Sequence, residues 1–410
     1  GRGAVRLGPA AHGPPGGKET HAGFAAGGSP LLGLGLVVRR ERSVSASGRA
    51  WGAEAARDWK RADAHQRARA LSLPALAVEE VDALEPAMVE FPPACGQENA
   101  VVFMRNENRI PFPYASGEDF LARAKRGAYT VARSVDSCSV FEFEDHVARL
   151  ATSCRLMIEQ DRGRETPDDS PIPRESHVEI TDAAILGPRL VGSIAEAMKT
   201  FNSYAGERGG GQEMKVTLLV TWDANSSSSD VFTLVTPLGD RPDMPVKVRV
   251  DGKPRSNASA KDSRWVSERQ VLEEKKPGDC DEVILMDDDG RLPEGSQTNF
   301  FAVSADGTVH TAGDGILEGT VRKMILDVCK RESIPVHFVP PNISSVDTWQ
   351  GAFISSTSRL LLPIAEIEYT DSKSSQSRSR VFPKQCELIN RLEKLVLSEY
   401  RSLSTRMWSP

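Results

Sequence analysis

The amino-acid sequence predicts a mixed α/β protein, of the α/β or α+β class, that folds into two domains. Its length of 410 residues is enough for two separate hydrophobic cores. From about residue 96 onward, segments with the period of strands alternate with segments with the period of helices. The stretch Pro237–Pro245 has the composition of a linker and divides this patterned region. We therefore predict a smaller domain over residues 96–236 and a larger one over residues 246–400.

The first half of the patterned region begins with a predicted β-hairpin. Ala128–Val135 alternates large and small residues as strands do, and Ser139–Phe143 follows after a short Asp-Ser turn. Glu144–Ile158 then changes period, because its apolar residues fall on one face of a helix. Residues 160–185 are rich in Pro and Asp and are predicted to form a loop. The other predicted elements of this half are a helix, Leu186–Phe201, and two strands, Lys215–Trp222 and Asp230–Val235.

The second half again alternates strands and helices. Lys261–Lys276 is predicted as a largely polar helix with Val266 and Leu272 on its inner side. Thr320–Arg331 is predicted as a helix because its apolar residues share one face. The low-complexity stretch 372–380 is predicted as a solvated loop. The remaining predictions are strands at Val246–Val250, Asp281–Met286, Pro335–Val339 and Ala352–Ser355, a hairpin of Phe300–Val303 with Val309–Thr311, and a helix at Cys386–Tyr400.

Residues 1–85 differ in composition from the rest of the chain. They are rich in Gly, Ala, Arg and Pro, and the first methionine of the sequence is Met88. We interpret them as a disordered or spurious N-terminal extension that stays outside the fold. The alternative is a transit peptide, because such segments are rich in Arg and poor in acidic residues, and it implies a plastid location.

Composition and charge disfavour several classes of function. The chain carries 51 Lys and Arg against 57 Asp and Glu, and an acidic protein of this kind should repel nucleic acid. The longest apolar run near the N-terminus, Pro30–Val38, is too short to cross a bilayer. The six cysteines are scattered, as expected for reduced thiols, which favours a cytoplasmic location. The seven histidines do not cluster at the spacing of metal ligands, so we predict no metal site.

One stretch of the second half suits the binding of pyridoxal phosphate. This cofactor needs a lysine for a Schiff base, a carboxylate beside its ring nitrogen and a site for its phosphate. Phosphate sites are readily built from backbone N–H groups at a helix N-terminus. Glu318–Arg322 offers such a site, because a glycine leads directly into an amphipathic helix. Many helices begin in this way, so the stretch alone does not identify the cofactor.

Three motifs in order resemble those of fold-type IV pyridoxal-phosphate enzymes. The stretch Leu292–Leu326 (LPEGSQTNFFAVSADGTVHTAGDGILEGTVRKMIL) resembles the signature of that family. Upstream, Glu144–Leu150 (EDHVARL) resembles the family's HxxRL helix, and downstream Phe353–Ile364 (FISSTSRLLLPI) is similar to its hydroxyl-rich strand end. Ala260–Arg269 contains AKDSxWVxxR, which is similar to the plant D-amino-acid-aminotransferase-like group. The chain therefore resembles class IV aminotransferases, of the D-amino-acid or branched-chain aminotransferase type.

The resemblance implies a set of cofactor-binding residues. Lys261 matches the lysine that carries pyridoxal 5′-phosphate as a Schiff base and then works as the catalytic base. Glu294 matches the carboxylate that pairs with the ring nitrogen, and Arg149 matches the arginine that reaches the phosphate. The other matches are Thr320 and Val321, whose backbone amides meet the phosphate, Thr357 and its neighbour Ser358, which complete that site, and Tyr129 on the substrate side. The nearby lysines that compete with Lys261 are Lys253, Lys275 and Lys276.

The same resemblance implies an architecture and a reaction. It implies a small N-terminal α/β domain, a larger C-terminal domain with a barrel-like sheet, and a homodimer with the cofactor in the cleft between the domains. The expected reaction exchanges an amino group between an amino acid and a 2-oxo acid. A lyase reaction of the aminodeoxychorismate-lyase kind uses the same lysine and the same fold, and it remains an alternative.

Three residues depart from the family's pattern. Val321 stands where many relatives have a threonine, and Pro293 directly precedes Glu294. Glu318 adds a negative charge beside the expected phosphate site, which is tolerable only if its side chain points to solvent. These departures favour a further alternative, in which the protein is a non-catalytic binding protein of the same fold.

Overall fold

The computed structural model describes residues 101–162, 177–205, 212–223, 228–371, 375–383 and 386–409. The predicted N-terminal extension, residues 1–85, lies outside the described residues, as do most of the predicted loop at 160–185 and part of that at 372–380. None of the described helices is long and apolar enough to cross a membrane. The five cysteines in the described part of the chain are free thiols.

The described residues form strands and helices in mixed order. The strands are β1 (Val102–Arg105), β2 (Asn108–Arg109), β3 (Ala128–Val135), β4 (Ser139–Phe141), β5 (Met214–Trp222), β6 (Ser229–Pro237), β7 (Val246–Val250), β8 (Glu282–Ile284), β9 (Asn299–Ser304), β10 (Val309–His310), β11 (Val336–His337), β12 (Trp349–Ser356), β13 (Leu360–Thr370), β14 (Ser377–Val381) and β15 (Ser404–Arg406). The helices are α1 (Gly117–Arg123), α2 (Phe143–Arg162), α3 (Val178–Thr181), α4 (Ala183–Ala205), α5 (Arg264–Glu268), α6 (Gln270–Lys275), α7 (Thr320–Arg331) and α8 (Glu387–Glu399), with a 3-10 helix at Ile343–Thr348.

The first sheet contains seven strands in the order β15-β4-β3-β5-β6-β1-β2. All neighbouring strands are antiparallel, and the last strand of the chain returns to pair with β4. Helices α2 and α4 cover one face, where Leu150 and Leu190 pack in one apolar cluster with Val216 of β5. Each such side chain contributes about 1.5–3 kcal/mol when fully buried. The predicted amphipathic pattern of Glu144–Ile158 is thus explained by packing on the sheet.

The second sheet contains eight strands and is mixed. Seven of them follow the order β11-β10-β9-β12-β13-β7-β8, and β14 pairs with β13. Isolated bridges join Ile284 to Gly295 and Glu294 to Asn299, so the segment 294–295 lies between β8 and β9. Among the described residues, the edge strands β8 and β11 are not paired with each other, and the barrel-like closure implied by the resemblance stays a prediction.

Helix α7 packs on the second sheet through the face that its sequence predicts. Its buried residues share an apolar cluster with Phe301 of β9 and Phe353 of β12, whose rings stack with centroids 4.5 Å apart. Helix α8 adds Leu392 and Val396 to the same cluster. This packing fixes the N-terminus of α7 against the ends of β9 and β12, which is where the candidate site lies.

Most predicted elements are present, and three predictions are wrong. The loop predicted over residues 160–185 is helical in nearly all of its described part, because α2 ends at Arg162, α3 spans Val178–Thr181 and α4 begins at Ala183. The helix predicted over Lys261–Lys276 is instead two short helices, α5 and α6, and Lys261 precedes both of them. Residues 377–380 of the predicted loop at 372–380 belong to β14, an exposed edge strand. Its polar, low-complexity sequence hides the strand because backbone pairing with β13, not burial of side chains, holds it in place. The sequence also failed to indicate six other elements, which are β1, β2, α1, β13, β15 and the 3-10 helix Ile343–Thr348.

Candidate active site

One cavity lies between the two sheets and brings together all eight residues that the resemblance assigned to the site. Its volume is about 980 Å³, including space that is open to solvent. It is lined by β3, β5 and α1 on one side and by residues 294–299, 317–322 and 355–359 on the other. The predicted residues that line it are Tyr129, Arg149, Lys261, Glu294, Thr320, Val321, Thr357 and Ser358.

Lys261 lies in an irregular segment that is fixed to the first sheet through its backbone. Its N–H donates to Ser153 Oγ of α2 at 3.0 Å, and its carbonyl accepts from the N–H of Tyr129 at 2.9 Å. The next residue, Asp262, bridges to β3 and accepts two short hydrogen bonds from Arg126, of 2.6 and 2.9 Å. Just before β3, Gly127 permits a close approach of β5, because a Cβ there would lie 2.1 Å from the carbonyl oxygen of Val220.

The charge state of Lys261 is set by its burial and by the cations around it. Its Nζ lies 4.5 Å from the centroid of the Tyr129 ring. Burial and the neighbouring Arg149 and Arg255 lower the pKa of Lys261 to about 8, although Tyr129 acts in the opposite direction. Burial raises the pKa of Tyr129, but Lys261 and nearby arginines outweigh that effect and lower it to about 8. About a tenth of Lys261 is therefore a neutral amine, and hence a nucleophile, at pH 7, far more than for an ordinary lysine.

Glu294 faces the cavity from the segment between β8 and β9. Its Oε1 accepts from Arg255 Nη2 at 2.8 Å and from Arg255 Nε at 3.1 Å, while its Oε2 accepts from the N–H of Leu317 at 3.1 Å. The ion pair is nearly sealed from solvent, because 9% of the Arg255 side chain and 3% of the Glu294 side chain are exposed. Burial raises the pKa of Glu294, and Arg255 opposes that effect. The two acceptor positions of Oε1 are taken, and Oε2 has one position left for a further N–H donor.

The N-terminus of α7 points its first backbone amides at the same cavity. Its N-terminal cap is Gly319, which has no side chain that could accept from the first turn. The amides of that turn therefore keep their donor capacity. A Cβ at Gly319 would lie 2.3 Å from Asn299 Oδ1, and the amide of Asn299 is held by the Leu317 carbonyl at 2.7 Å. This contact explains why the helix entry needs a glycine. The partial positive charge of the helix end favours an anion here.

Hydroxyl and guanidinium groups complete this end of the cavity. Thr320 Oγ1 lies 3.1 Å from Thr357 Oγ1, which comes from the tight turn between β12 and β13. Arg149 reaches the cavity from α2, and its Nη2 donates to Thr130 Oγ1 at 2.7 Å and to His146 Nδ1 at 3.0 Å. Burial and the charge of Arg149 hold the pKa of His146 well below its usual value, so His146 is neutral and can accept from Arg149.

Several buried polar atoms around the cavity have no hydrogen-bond partner among the described residues. Each belongs to a residue that lines the cavity, and together they include two guanidinium donors and two hydroxyls. They are Arg149 Nε, Arg322 Nε, Thr298 Oγ1 and Ser355 Oγ. Because buried polar groups are normally paired, this arrangement fits a polar, anionic group such as a phosphate bound at this end.

The three departures from the family's pattern do not disturb the cavity. Val321 packs in the apolar cluster of α7 with Phe301, so its side chain serves the core. Pro293 is buried without preventing Glu294 from lining the cavity. The side chain of Glu318 is exposed, as the sequence required, and its carbonyl oxygen lies 3.5 Å from Arg149 Nη1.

The structure also adds residues that the sequence did not indicate. Arg255, Lys215, Arg269 and Arg359 all line the cavity. The three competing lysines, Lys253, Lys275 and Lys276, do not line it. Lys215 was assigned only to a strand, because alternation along β5 gives the side-chain faces but not what lies opposite them. The sequence around Arg255 has no pattern that distinguishes this buried arginine from the arginines of the surface.

Comparison of the sequence with known proteins finds similarity to aminotransferases. The sequence model of the amino-transferase class IV family matches residues 127–367. A putative branched-chain-amino-acid aminotransferase from Methanocaldococcus jannaschii is 32% identical over 90 residues, which are 22% of this chain and 31% of that relative's length. The chain therefore matches only about a third of that relative.

Two solved structures share the fold. The first is the branched-chain aminotransferase from Thermoproteus uzoniensis, solved with norvaline; it has a TM-score of 0.54, 18% sequence identity, and coverage of 75% of this chain and 99% of that one. The second is the PLP-bound form of a hypothetical aminotransferase from Mycobacterium tuberculosis, with a TM-score of 0.52, 17% identity, and coverage of 74% and 99%. At these identities the similarity shows the fold.

Proposed function

The chain belongs to the amino-transferase class IV family, and from that premise we propose that it is a pyridoxal 5′-phosphate-dependent aminotransferase. Its reaction is the exchange of an amino group between an amino acid and a 2-oxo acid. The proposal rests on one observation, which is that Lys261, Glu294, Arg149, Thr320 and Thr357 line the same cavity. A lysine, a carboxylate and an anion-binding helix end are the three parts that this cofactor needs.

The cofactor's phosphate would bind at the N-terminus of α7. The backbone amides of Thr320 and Val321, the hydroxyl of Thr357 and the guanidinium of Arg149 all lie at this end of the cavity. The unpartnered Arg149 Nε and Arg322 Nε support the assignment, because a bound anion compensates buried cationic donors. The carbonyl oxygen of Ser358, the neighbour of Thr357, accepts from Arg133 Nη1 at 3.4 Å, and we propose that Ser358 forms a wall of the site.

Lys261 would be the residue that carries the cofactor and then moves the proton. Its amine must be neutral for both tasks, and a pKa of about 8 supplies that form at physiological pH. When bound, the cofactor supplies an electron-withdrawing ring that stabilises negative charge at the substrate's Cα. Lys261 Nζ would then accept the proton from the Cα of the amino acid. It would give a proton back to Cα when the amino group passes to the 2-oxo acid. Tyr129, whose ring lies beside Nζ, would orient the amine and border the substrate.

Glu294 would keep the ring nitrogen of the cofactor protonated. Arg255 and the Leu317 N–H hold its carboxylate in one orientation, so the remaining acceptor position of Oε2 points in a fixed direction. Arg255 also opposes the effect of burial on the pKa of Glu294 and thereby favours the ionised form. We therefore propose Arg255 as a positioning residue for Glu294, and not as a catalytic one.

Reductive trapping tests this proposal. Purified protein is incubated with pyridoxal 5′-phosphate, reduced with borohydride and mapped by peptide mass spectrometry. We expect the label on Lys261, and the Lys261→Ala variant should lose it while Lys275→Ala, an exposed lysine outside the cavity, keeps it. Labelling at another lysine, or a protein that stays colourless with the cofactor, contradicts the proposal and supports the non-catalytic alternative.

A second measurement separates the aminotransferase from the lyase. A transaminase needs a 2-oxo acid acceptor for repeated turnover, whereas a lyase of the aminodeoxychorismate type releases pyruvate without one. We expect turnover that stops when the acceptor is omitted. Pyruvate release from a chorismate-derived amino substrate without acceptor would favour the lyase.

The domain and assembly predictions belong to the same proposal. We propose that the two sheets correspond to two domains, 96–236 and 246–400, because the segment between β6 and β7 coincides with the stretch Pro237–Pro245. We also propose a homodimer, which light scattering on the purified protein would test. A cytoplasmic location, or a plastid one if residues 1–85 act as a transit peptide, stays a prediction from sequence.

A further inference from the structure

Residues 261–263 form a short backbone pairing with the start of β3. The N–H of Tyr129 donates to the carbonyl of Lys261 at 2.9 Å. The N–H of Ser263 donates to the carbonyl of Gly127 at 3.0 Å. Two backbone hydrogen bonds are a weak constraint, because each contributes only about 0.5–1.5 kcal/mol. The position of Lys261 therefore depends on side chains as well.

The guanidinium of Arg126 joins Asp262, the residue after Lys261, to Asp161 in the last turn of α2. Its Nε and Nη2 donate to Asp262 Oδ2 at 2.9 and 2.6 Å. Its Nη1 donates to the two carboxylate oxygens of Asp161 at 2.9 and 2.7 Å. A planar guanidinium that is bonded on two edges fixes the angle as well as the distance between its partners. We call Arg126, Asp161 and Asp262 the Arg126 clamp.

Helix α2 thereby holds the segment of Lys261 at two separate points. The first point is Ser153, whose Oγ accepts from the N–H of Lys261 at 3.0 Å. The second is Asp161, which reaches Asp262 through Arg126. Asp161 is eight residues after Ser153, or about 12 Å along the helix at 1.5 Å per residue. Two anchors at this separation prevent the segment from turning about either one.

The clamp acts on the amine of Lys261 through the backbone. Lys261 Nζ lies 4.5 Å from the centroid of the Tyr129 ring, and the backbone of the same tyrosine pairs with that of Lys261. In the described part of the chain, none of the clamp residues lines the cavity. The titratable and charged groups that interact with Nζ are instead Tyr129, His146, Arg149, Arg255, Arg269 and Glu294.

We propose that Arg126 is a positioning residue for Lys261, which holds the lysine between β3 and the end of α2 so that Nζ keeps one place in the cavity. This inference rests on the proposed aminotransferase function. Proton transfer needs the amine within hydrogen-bond reach of Cα, and a displacement of about 1 Å can slow such a step by roughly 100-fold. Arg126 lies just before residues 127–367, which the family's sequence model matches.

Acetylation of Lys261 tests the inference without the cofactor. Acetic anhydride reacts with the neutral amine, so the labelling of Lys261 against pH, measured by peptide mass spectrometry on the cofactor-free chain, gives the pKa. We expect a midpoint near pH 8 in wild type. Arg126→Met should raise the midpoint by about one pH unit, because a loosened segment lets the amine reach water, where a lysine titrates near 10.4.

Asp262→Asn separates the effect of position from that of charge. Arg126→Met removes a cation and Asp262→Asn removes an anion, so by charge alone they would shift the pKa of Lys261 in opposite directions. Loss of position raises the pKa in both variants, and we expect a rise of about half a unit in Asp262→Asn. The asparagine can still accept from the N–H of Arg264, which preserves the start of α5.

A neighbouring ion pair supplies the matched controls. Arg123 and Asp119 are 3.2 Å apart on α1 and do not line the cavity, so Arg123→Met and Asp119→Asn should leave the midpoint of Lys261 unchanged. Denaturant unfolding identifies a variant that does not fold. If Arg126→Met fails to fold, Asp262→Asn decides alone, because only a loss of position can raise its midpoint.

Amino-group transfer by the holoenzyme gives a second readout. With racemic glutamate and with racemic leucine, Arg126→Met should lower kcat by about 10–100-fold and leave KM within about threefold, and Arg126→Lys should restore part of the rate. Binding of pyridoxamine 5′-phosphate, which forms no Schiff base with a lysine, should stay within about threefold of wild type.

Two outcomes overturn the inference. One is a pair of midpoints that move in opposite directions or do not move, and the other is an unchanged kcat in Arg126→Met. If wild type transfers no amino group, the proposed function fails, and the acetylation of Lys261 alone decides the role of Arg126.

Discussion

The two ends of the cavity are built in different ways. The cofactor end is formed by Lys261, Glu294, Arg149, Thr320 and Thr357. Three of these residues lie at a helix start, beyond a strand end and in a bridge between strands, while Arg149 lies within α2 and Lys261 in an irregular segment. The opposite wall, formed by Lys215, Thr217, Arg269 and Arg359, instead uses one face of β5 together with arginines that follow α5 and β12. The cofactor end has to meet one fixed chemical group. None of the residues of the opposite wall belongs to the set that the family's pattern assigns to the cofactor.

This difference predicts how variants should behave. Changes at the cofactor end should affect every substrate equally, because each substrate uses the same cofactor. Changes at the opposite wall should leave the affinity for the cofactor unchanged, because its residues lie outside that set. A variant of the cofactor end that changes the choice among substrates without slowing all of them would contradict this distinction.

Replacing Glu294 should have the largest effect. We expect Glu294→Gln to slow the transfer of the amino group from glutamate and from leucine alike by about 10²–10³-fold, because loss of one preorganised electrostatic contact costs roughly 3–4 kcal/mol at the transition state. The glutamine keeps the shape of the side chain and can still accept from Arg255. Rapid-mixing absorbance measures the rate.

Glu318→Gln is the control for Glu294, because Glu318 is an exposed carboxylate close to the same helix end. It should change the rate by less than threefold. A Glu294→Gln enzyme that keeps its rate within threefold would remove Glu294 from the chemistry. A drop with one amino acid alone would move Glu294 to the substrate side.

Replacing Arg149 should weaken cofactor binding less strongly. Arg149→Met removes charge-assisted hydrogen bonds worth about 1.5–3 kcal/mol, so we expect the dissociation constant of pyridoxal 5′-phosphate to rise about 10–100-fold. Pyridoxal, which lacks the phosphate, should bind wild type and variant equally. Arg155→Met, an exposed arginine of the same helix, is the control. Equal losses with both ligands would mean that Arg149 supports the fold instead of the phosphate.

The cofactor end was predictable because its residues lie in short contiguous motifs. Gly319 and Thr320 show why: the glycine is needed for contact with Asn299, and the first turn of a helix follows at once. A local steric requirement of this kind leaves a recognisable pattern in the sequence. The helix α7 was likewise predicted from its own apolar face, with its bounds as observed.

The remaining parts depend on contacts between distant segments. Arg255 holds Glu294, 39 positions away, and Lys261 is held by Ser153, 108 positions away. Such contacts are set by the packing of the two sheets, and neither residue carries a local pattern that reveals its partner. The helix predicted at Lys261–Lys276 failed for the same reason, because tertiary contacts of Lys261 and Asp262 with β3 outweigh local helix propensity.

The pH dependence of cofactor capture should sharpen the assignment of Lys261. Only the neutral amine attacks, so the rate should rise tenfold per pH unit below a pKa of about 8 and level off above it. An ordinary lysine, with a pKa of about 10.4, would keep rising past pH 9. The rate is measured by absorbance after mixing cofactor-free protein with pyridoxal 5′-phosphate, and the background of Lys261→Ala is subtracted. A rate that still climbs steeply above pH 9 would show that the low pKa of Lys261 is wrong.

The smallest effect should come from restoring the threonine that many relatives have at position 321. Val321 belongs to the apolar cluster with Phe301 and Phe353, so the added hydroxyl of Val321→Thr would enter the core. We expect the free energy of unfolding to fall by about 1–2 kcal/mol, since a buried hydroxyl without a partner is costly. The dissociation constant of pyridoxal 5′-phosphate should stay within threefold, because the phosphate would meet the backbone amide of this residue. Denaturant unfolding and cofactor titration measure the two quantities on the same preparation. Tighter cofactor binding without loss of stability would place the side chain of residue 321 in the site, and the cofactor end would then differ in its side chains from what the family's pattern predicts.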